Sequence, residues 1–425
     1  MRVNIINIGC FKNLVDCERL LWQLQMSGVD VVFGPTETYC DIVIVNTCGF
    51  ISDAEKDSVA LLLDMAKRKR GGQYSQFWVM GCYGQKMGND ITRRIPEIDR
   101  VYGNFNWYQI VADIGNKPWM NSTDRIITTP RHYAYVKISE GCNMPCSYCI
   151  KPVLNGPLKS EPIETVVDEC RTLAGMGVKE LQIVSQNTTD YGRDIYHKPK
   201  IAELIDRISD IEGIKWIRLH YAYPTNFPKD LIDVIATKEN VCKYIDMAIQ
   251  HCNEDMLRIM RRPMSKDRLV ALLDELKSHN ISIRTTVMTG HPGETEEMYQ
   301  ELKDFIAQRR FDRLGVFPYS HESRSYSGKH YEDLIPETVK RERALELMAI
   351  QREIYNVSNL NNIGKRMKIM IDGKNSAGCY VGRPENSTPM ADPKIIITSD
   401  KSLIPGEFYE AVVTNSLGKD MEGTI

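Results

Sequence analysis

Hydrophobic and polar positions follow two alternating rhythms over the first 120 residues. Residues 3–8 are a short apolar run, residues 13–27 carry Leu14, Leu20, Leu21 and Leu24 at helical spacing, and residues 41–45 are apolar again. Ser52–Arg70 reads as a long helix, with Ser52 as its N-cap and Glu55 three residues on, and residues 76–80 read as a further strand. Strands alternating with helices predict a doubly wound α/β domain, in which a parallel sheet is covered by helices on both faces.

The alternation restarts beyond a Ser/Thr-containing stretch at 121–131, which reads as a linker. Strands are expected at 134–138, 180–185, 215–220, 244–249, 283–288 and 313–317, with helices such as 163–176, 202–211, 266–279 and 295–309 between them. Six strand–helix units predict a partial (β/α)6 barrel, whose working face lies at the C-terminal ends of its strands. A charged helix follows at about 337–358. Short strands at 367–371, 380–382, 394–398 and 407–413 then predict a small all-β, OB-like barrel. The expected domains are 1–120, 128–358 and 361–425.

Composition changes this picture little. A chain of 425 residues, 42% hydrophobic and 26% charged, has the make-up of a soluble multi-domain protein. Its opening reads as a strand rather than a secretory leader, and no apolar run reaches membrane-spanning length, so a cytoplasmic protein without membrane contact is expected. The net charge of −2 provides no bulk field for nucleic acid, and the tail from 361 to 425 balances eight basic against eight acidic residues. Direct RNA contact is left open.

The twelve cysteines change it more. In a cytosolic chain they point to metal ligation or catalysis before disulfides. Cys17, Cys40, Cys170, Cys242, Cys252 and Cys379 read as ordinary small core residues. Cys10, Cys48 and Cys82 each follow a strand and each adjoins a glycine (Gly9, Gly49, Gly81). Ligands gather at the carboxyl ends of strands in an open α/β sheet, so these three thiols can converge on one cluster. Cys142, Cys146 and Cys149 form a C-x₃-C-x₂-C run after the first barrel strand. Three thiolates leave one iron of a four-iron cluster without a protein ligand. Zinc is the alternative, but a structural zinc site wants a fourth ligand, and His132 and Cys170, the nearest candidates, lack zinc-finger spacing.

Polar residues also close the other barrel strands, and Gln186, Arg218, Gln250, Gly290 and Gly293 are the candidate cofactor contacts among them. No catalytic acid, base or nucleophile is assigned. Arg258, Arg261 and Arg262 read as a solvated face, and the run Lys67-Arg68-Lys69-Arg70 as charge complementing a helix C-terminus.

The central cysteine run resembles that of the radical S-adenosylmethionine (SAM) enzymes. Together with Gly9-Cys10-Phe11-Lys12-Asn13-Leu14-Val15-Asp16, Asn46-Thr47-Cys48-Gly49 and Met80-Gly81-Cys82, and with a β-tail that looks like a TRAM domain, the whole chain resembles the methylthiotransferases. The segments 132–142, 218–224, Gln250-His251 and 312–317 look like the RimO branch, which modifies an aspartate of the twelfth protein of the small ribosomal subunit. The resemblance implies a radical SAM barrel, two 4Fe-4S clusters, SAM bound at the open iron of the central one, and methylthio transfer to the aspartate β-carbon. It also implies a reductant protein and a sulfur donor as partners. The alternatives are a tRNA adenosine methylthiotransferase and, in another class, a non-catalytic ribosome- or RNA-binding metal protein. The chain departs from the family pattern at Lys151, Glu161, His291 and Ser323 to Ser325. All of these lie outside the six cysteines, so the departures bear on SAM and substrate contacts and on activity rather than on cluster ligation.

Overall fold

A computed structural model describes residues 1–425 except Asn116, Arg310, Met390 and Ala391. The amino-terminal sheet contains β1 (Arg2–Asn7), β2 (Asp30–Phe33), β3 (Cys40–Thr47), β4 (Tyr74–Gly81) and β5 (Arg100–Val101). All its pairings are parallel, in the order β2-β1-β3-β4-β5. The helices Phe11–Met26 and Ser52–Arg70 pack their apolar stripes on it and form separate cores around Leu20, Leu24 and Ile44 and around Leu62, Phe77 and Val79. The pattern reveals the three inner strands. It misses β2, four residues and half-exposed, and β5, two residues long. Ser52 is not the N-cap: Ile51 holds that position without a side-chain cap, and Ser52 is the first helical residue.

The segment expected to be a linker is instead a packed strap. Arg125 within it is buried and pairs with Glu18 at 3.1 Å and Glu169 at 3.2 Å, fastening the first domain to the second. The second domain begins with β6 (Tyr133–Lys137), followed by a small antiparallel pair, β7 (Ser139–Glu140) and β8 (Lys159–Ser160). Then come β9 (Glu180–Val184), β10 (Trp216–Ala222), β11 (Val241–Met247), β12 (Ser282–Thr289) and β13 (Arg313–Pro318). The order β13-β12-β11-β10-β9-β6 is a parallel half-barrel. Between its strands and the surrounding helices lies the largest core, built mainly of Ile, Leu and Val.

The long helix Glu337–Leu360 leads to β14 (Arg366–Lys374), β15 (Tyr380–Pro384), β16 (Ile395–Thr398), β17 (Phe408–Leu417) and β18 (Asp420–Thr424), a closed barrel. The pattern misses β18, whose five residues include one large apolar side chain, Met421. Five of the six expected core cysteines are fully buried; Cys379 is half-exposed in the turn between β14 and β15 and belongs to no core. Among the described residues no helix is long and apolar enough to cross a membrane.

This β-barrel is locked to the half-barrel by charge. Glu180 of β9 receives Arg383 of β15 at 2.6 Å and Arg218 of β10 at 3.0 Å, and all three side chains are fully buried. Arg383 also reaches Asp372 at 2.7 Å, which in turn meets His132 at 3.0 Å.

Candidate active site

Register brings the first three thiols together. β1, β3 and β4 are neighbours, and Thr47 pairs with Gly81, so Cys48 and Cys82 leave adjacent strands side by side. Cys10 follows β1 and immediately precedes the helix Phe11–Met26. Local hydrogen bonds fix these exits. Ser58 Oγ meets both the N–H and the carbonyl of Cys48, at 3.1 and 2.7 Å. Asn46 Nδ2 donates to the Asn13 carbonyl, and Thr47 Oγ1 donates to the Met80 carbonyl. Gly81 is needed here: its φ is +92°, and a Cβ would lie 2.2 Å from Asn46 Oδ1.

The second triad lies on one loop held by distant elements. Cys142 N–H donates to Gly156 O, Ser147 N–H to Met260 O, and Ser327 N–H to Ser147 O. Ser147 Oγ lies 3.0 Å from His291 Nε2, and Pro292 O lies 2.9 Å from His291 Nδ1. Burial holds His291 neutral, with its pKa pushed down to about 4. Two departures from the family pattern thus have structural work. His291 anchors the cysteine loop, and Ser325 caps the short helix Tyr326–His330 that abuts it. Glu322, in the same segment, pairs with Lys86 of the first domain.

The two triads are neighbours. Asn104 Nδ2 bridges them, 3.5 Å from Cys82 Sγ and 3.2 Å from the carbonyl of Leu154 just beyond the central loop. The Lys151 charge lowers the thiol pKa values of Cys10 and Cys48 in one triad and of Cys142 and Cys149 in the other. Burial alone raises the Cys10 thiol, but Lys12, nearby main-chain N–H groups and Lys151 outweigh it and hold that thiol below its ordinary value. Burial pushes Cys82 and Cys149 up to about 12 and raises Cys48 and Cys142. Sulfurs so placed bind as thiolates when a strong cationic centre displaces the proton.

The donor set suits iron–sulfur chemistry: three soft thiols in each group. The central three line a solvent-open cavity of about 410 Å³. A water molecule takes up about 30 Å³, so this space admits far more than a single ion. Among the described residues, no three Cys, His, Asp or Glu side chains gather closely enough to chelate one ion.

The expected cofactor contacts divide. Gln186, beyond the end of β9, donates to Glu140, and its Oε1 is buried without a partner, as is Ser185 Oγ beside it. Those orphaned atoms suit a polar ligand at the barrel mouth. Gln250 bridges to Val287 with φ +68°, an outlying backbone for a side-chain residue. Arg218 is turned to the β-barrel seam described above and joins neither triad. Gly290 makes room for Lys340, whose Cγ would lie 2.2 Å from a Cβ, and Gly293 packs on Ile259.

Arg262, expected on a solvated face, is buried. Its guanidinium is 3.4 Å from Cys146 Sγ and sits 3.9 Å over the Tyr223 ring. Pattern and charge point to Tyr221 as one of the polar residues closing a barrel strand, but not to Lys12 or Tyr223. Tyr221 and Tyr223 follow His220 at a strand end, and that position was the available signal.

Three family descriptions match the chain: the uncharacterized protein family UPF0004 over residues 2–103, the Radical SAM superfamily over 136–306 and the TRAM domain over 363–425. The chain is 46% identical to the ribosomal protein uS12 methylthiotransferase RimO of Porphyromonas gingivalis, over 100% of this chain and 99% of that one. It is 43% identical to the RimO of Parabacteroides distasonis over the same shares, and 39% identical to that of Cytophaga hutchinsonii over 100% and 98%. Among solved structures, the radical S-adenosylmethionine methyltransferase TsrM of Kitasatospora setae superposes with a TM-score of 0.56 at 13% identity over 77% of each chain. This last likeness concerns the fold.

Proposed function

The chain belongs to the RimO family of ribosomal protein uS12 methylthiotransferases, and from that premise we propose that each of its cysteine triads holds one 4Fe-4S cluster and that the target is the β-carbon of a uS12 aspartate. It is a radical SAM enzyme that acts on a protein of the ribosome. The observation that supports the finer reading is the proximity of the two triads, with Lys151 acting on thiols of both.

No side-chain base removes an unactivated C–H proton at neutral pH; a cluster with an open iron, together with SAM, supplies the radical chemistry that can break such a bond. The chain's own residues bind, orient and shield. Cys142, Cys146 and Cys149 would hold one cluster, and Cys10, Cys48 and Cys82 the other. Arg262 donates to Cys146 Sγ and compensates its charge. His291 and Ser147 fix the loop that sets the direction of the thiols. Gln186 and Gln250 would orient SAM at the barrel mouth. All six cysteine residues are half-buried. A one-electron reductant protein and a sulfur donor complete the set of partners.

Anaerobic reconstitution tests this directly. About eight irons per chain are expected for two four-iron clusters, with methylthiolated uS12 detected by mass spectrometry. About four irons, bound zinc, or modified tRNA nucleosides with unmodified uS12 would overturn the reading.

A further inference from the structure

Two ammonium groups stand beside the cysteine triads, Lys12 near Cys10 and Lys151 near both triads, and neither makes an ion pair among the described residues. Lys12 Nζ is 4.2 Å from the centre of the Tyr221 ring, and the Lys12 side chain is buried. Lys151 Nζ is 4.4 Å from the centre of the Phe50 ring and 5.9 Å from that of Tyr221. Neighbouring lysines are matched: Lys137 by Asp16 and Glu140, Lys86 by Glu55 and Glu322. Among the described residues, Lys12 and Lys151 have no acidic oxygen within ion-pair distance. They share only the π-face of Tyr221, and a cation–π contact is worth about 0.5–2 kcal/mol, less than the several kcal/mol that withdrawing a charge from water costs.

Tyr221 itself is held with φ +59°, a backbone conformation that costs a non-glycine residue energy and clusters at functional sites. Two like charges on one strained aromatic platform, beside Cys10, form a receptor for an anion.

We infer that Lys12 and Lys151 bind the side-chain carboxylate of the target aspartate and so set its β-carbon between the two cysteine triads. This rests on the aspartate substrate proposed above. The chemistry suits the position, because the β-carbon is bonded directly to the carboxyl carbon: anchoring the carboxylate fixes the reacting atom within one bond of the anchor. A neutral substrate such as an adenine ring offers these cations no anionic partner.

The test uses the anaerobically reconstituted enzyme and purified uS12 carrying either Asp or Asn at the modified position, with binding read by fluorescence anisotropy and iron counted in every sample. The wild type is expected to bind the Asp form at least about tenfold more tightly than the Asn form, a difference of about 1.4 kcal/mol. Lys12→Met and Lys151→Met should abolish that preference while leaving affinity for the Asn form unchanged. Lys151→Arg should keep most of it. Equal wild-type affinity for the two forms, or an undiminished preference in both methionine variants, would overturn the inference. The wild-type comparison decides the matter even where a variant loses iron. Equal affinity together with methylthiolated product sinks the carboxylate receptor alone. Failure to bind either form, with tRNA modified instead, sinks the functional reading and the inference with it.

Discussion

The two cysteine triads achieve similar arrangements by opposite means. The central one is contiguous in sequence, Cys142 to Cys149, yet its loop is fastened by Gly156, Met260, His291 and Ser327, residues contributed by four later segments. The amino-terminal one is scattered from Cys10 to Cys82, yet its fastenings are the register of β1, β3 and β4 and side chains within the same small domain. Proximity along the chain and independence of distant support run in opposite directions. A motif that can be read at a glance is the one that requires the whole barrel to hold its shape.

The sharpest way to break this comparison is to remove one thiol from each side. Cys146→Ala should reduce SAM cleavage to background and leave the first triad's iron in place. Cys48→Ala should retain SAM cleavage and reduce methylthiolated uS12 to background. Iron counts and product analysis on both variants check this, and loss of all iron in either would erase the distinction.

Acid should destabilise the fold in part through the central loop. The folded pKa of His291 is about 4, against an ordinary value of 6.5, so its contribution is complete above pH 6.5 and is lost as pH falls, because the unfolded chain takes the proton first. By pH 5 the loss is about 2 kcal/mol. Thermal melts from pH 7 to pH 5 should show it, and His291→Phe should lack that part of the slope.

Smaller effects sharpen the contrast. Arg262→Met removes a charged donor from Cys146 Sγ, which should make the central cluster's midpoint potential more negative by about 60 mV, the equivalent of one charge-assisted hydrogen bond. The other cluster should not move, as redox titration followed by electron paramagnetic resonance would report. Ser58→Ala should cost about 1 kcal/mol in denaturant unfolding of the first domain. It should leave iron on the central triad unchanged.

What the sequence reveals follows from the same contrast. The C-x₃-C-x₂-C run declares itself by spacing. Cys10, Cys48 and Cys82 become legible once strands are assigned, because their placement is a property of sheet register. Arg262 is hidden: two arginines precede it, and burial separates it from exposed Arg258 through a turn at Arg261, whose φ is +57°. Arg218 misleads for the converse reason. It sits on the expected strand, but it is turned to Glu180, a carboxylate it shares with Arg383 from 165 residues further along the chain, and no local pattern reports such a seam. The strap at 121–131 has the composition of a linker, and only the long-range ion pairs of Arg125 show that it is packed.

The Glu180 seam bears on how the enzyme meets something as large as a ribosomal subunit. Swinging the terminal barrel away would part Arg383 from Glu180 and break a fully buried ion pair, although Glu180 would keep Arg218 and Arg383 would keep Asp372. The tail is therefore fastened to the catalytic body, and a contact made by the tail would bear on the angle at which the reactive chamber is presented.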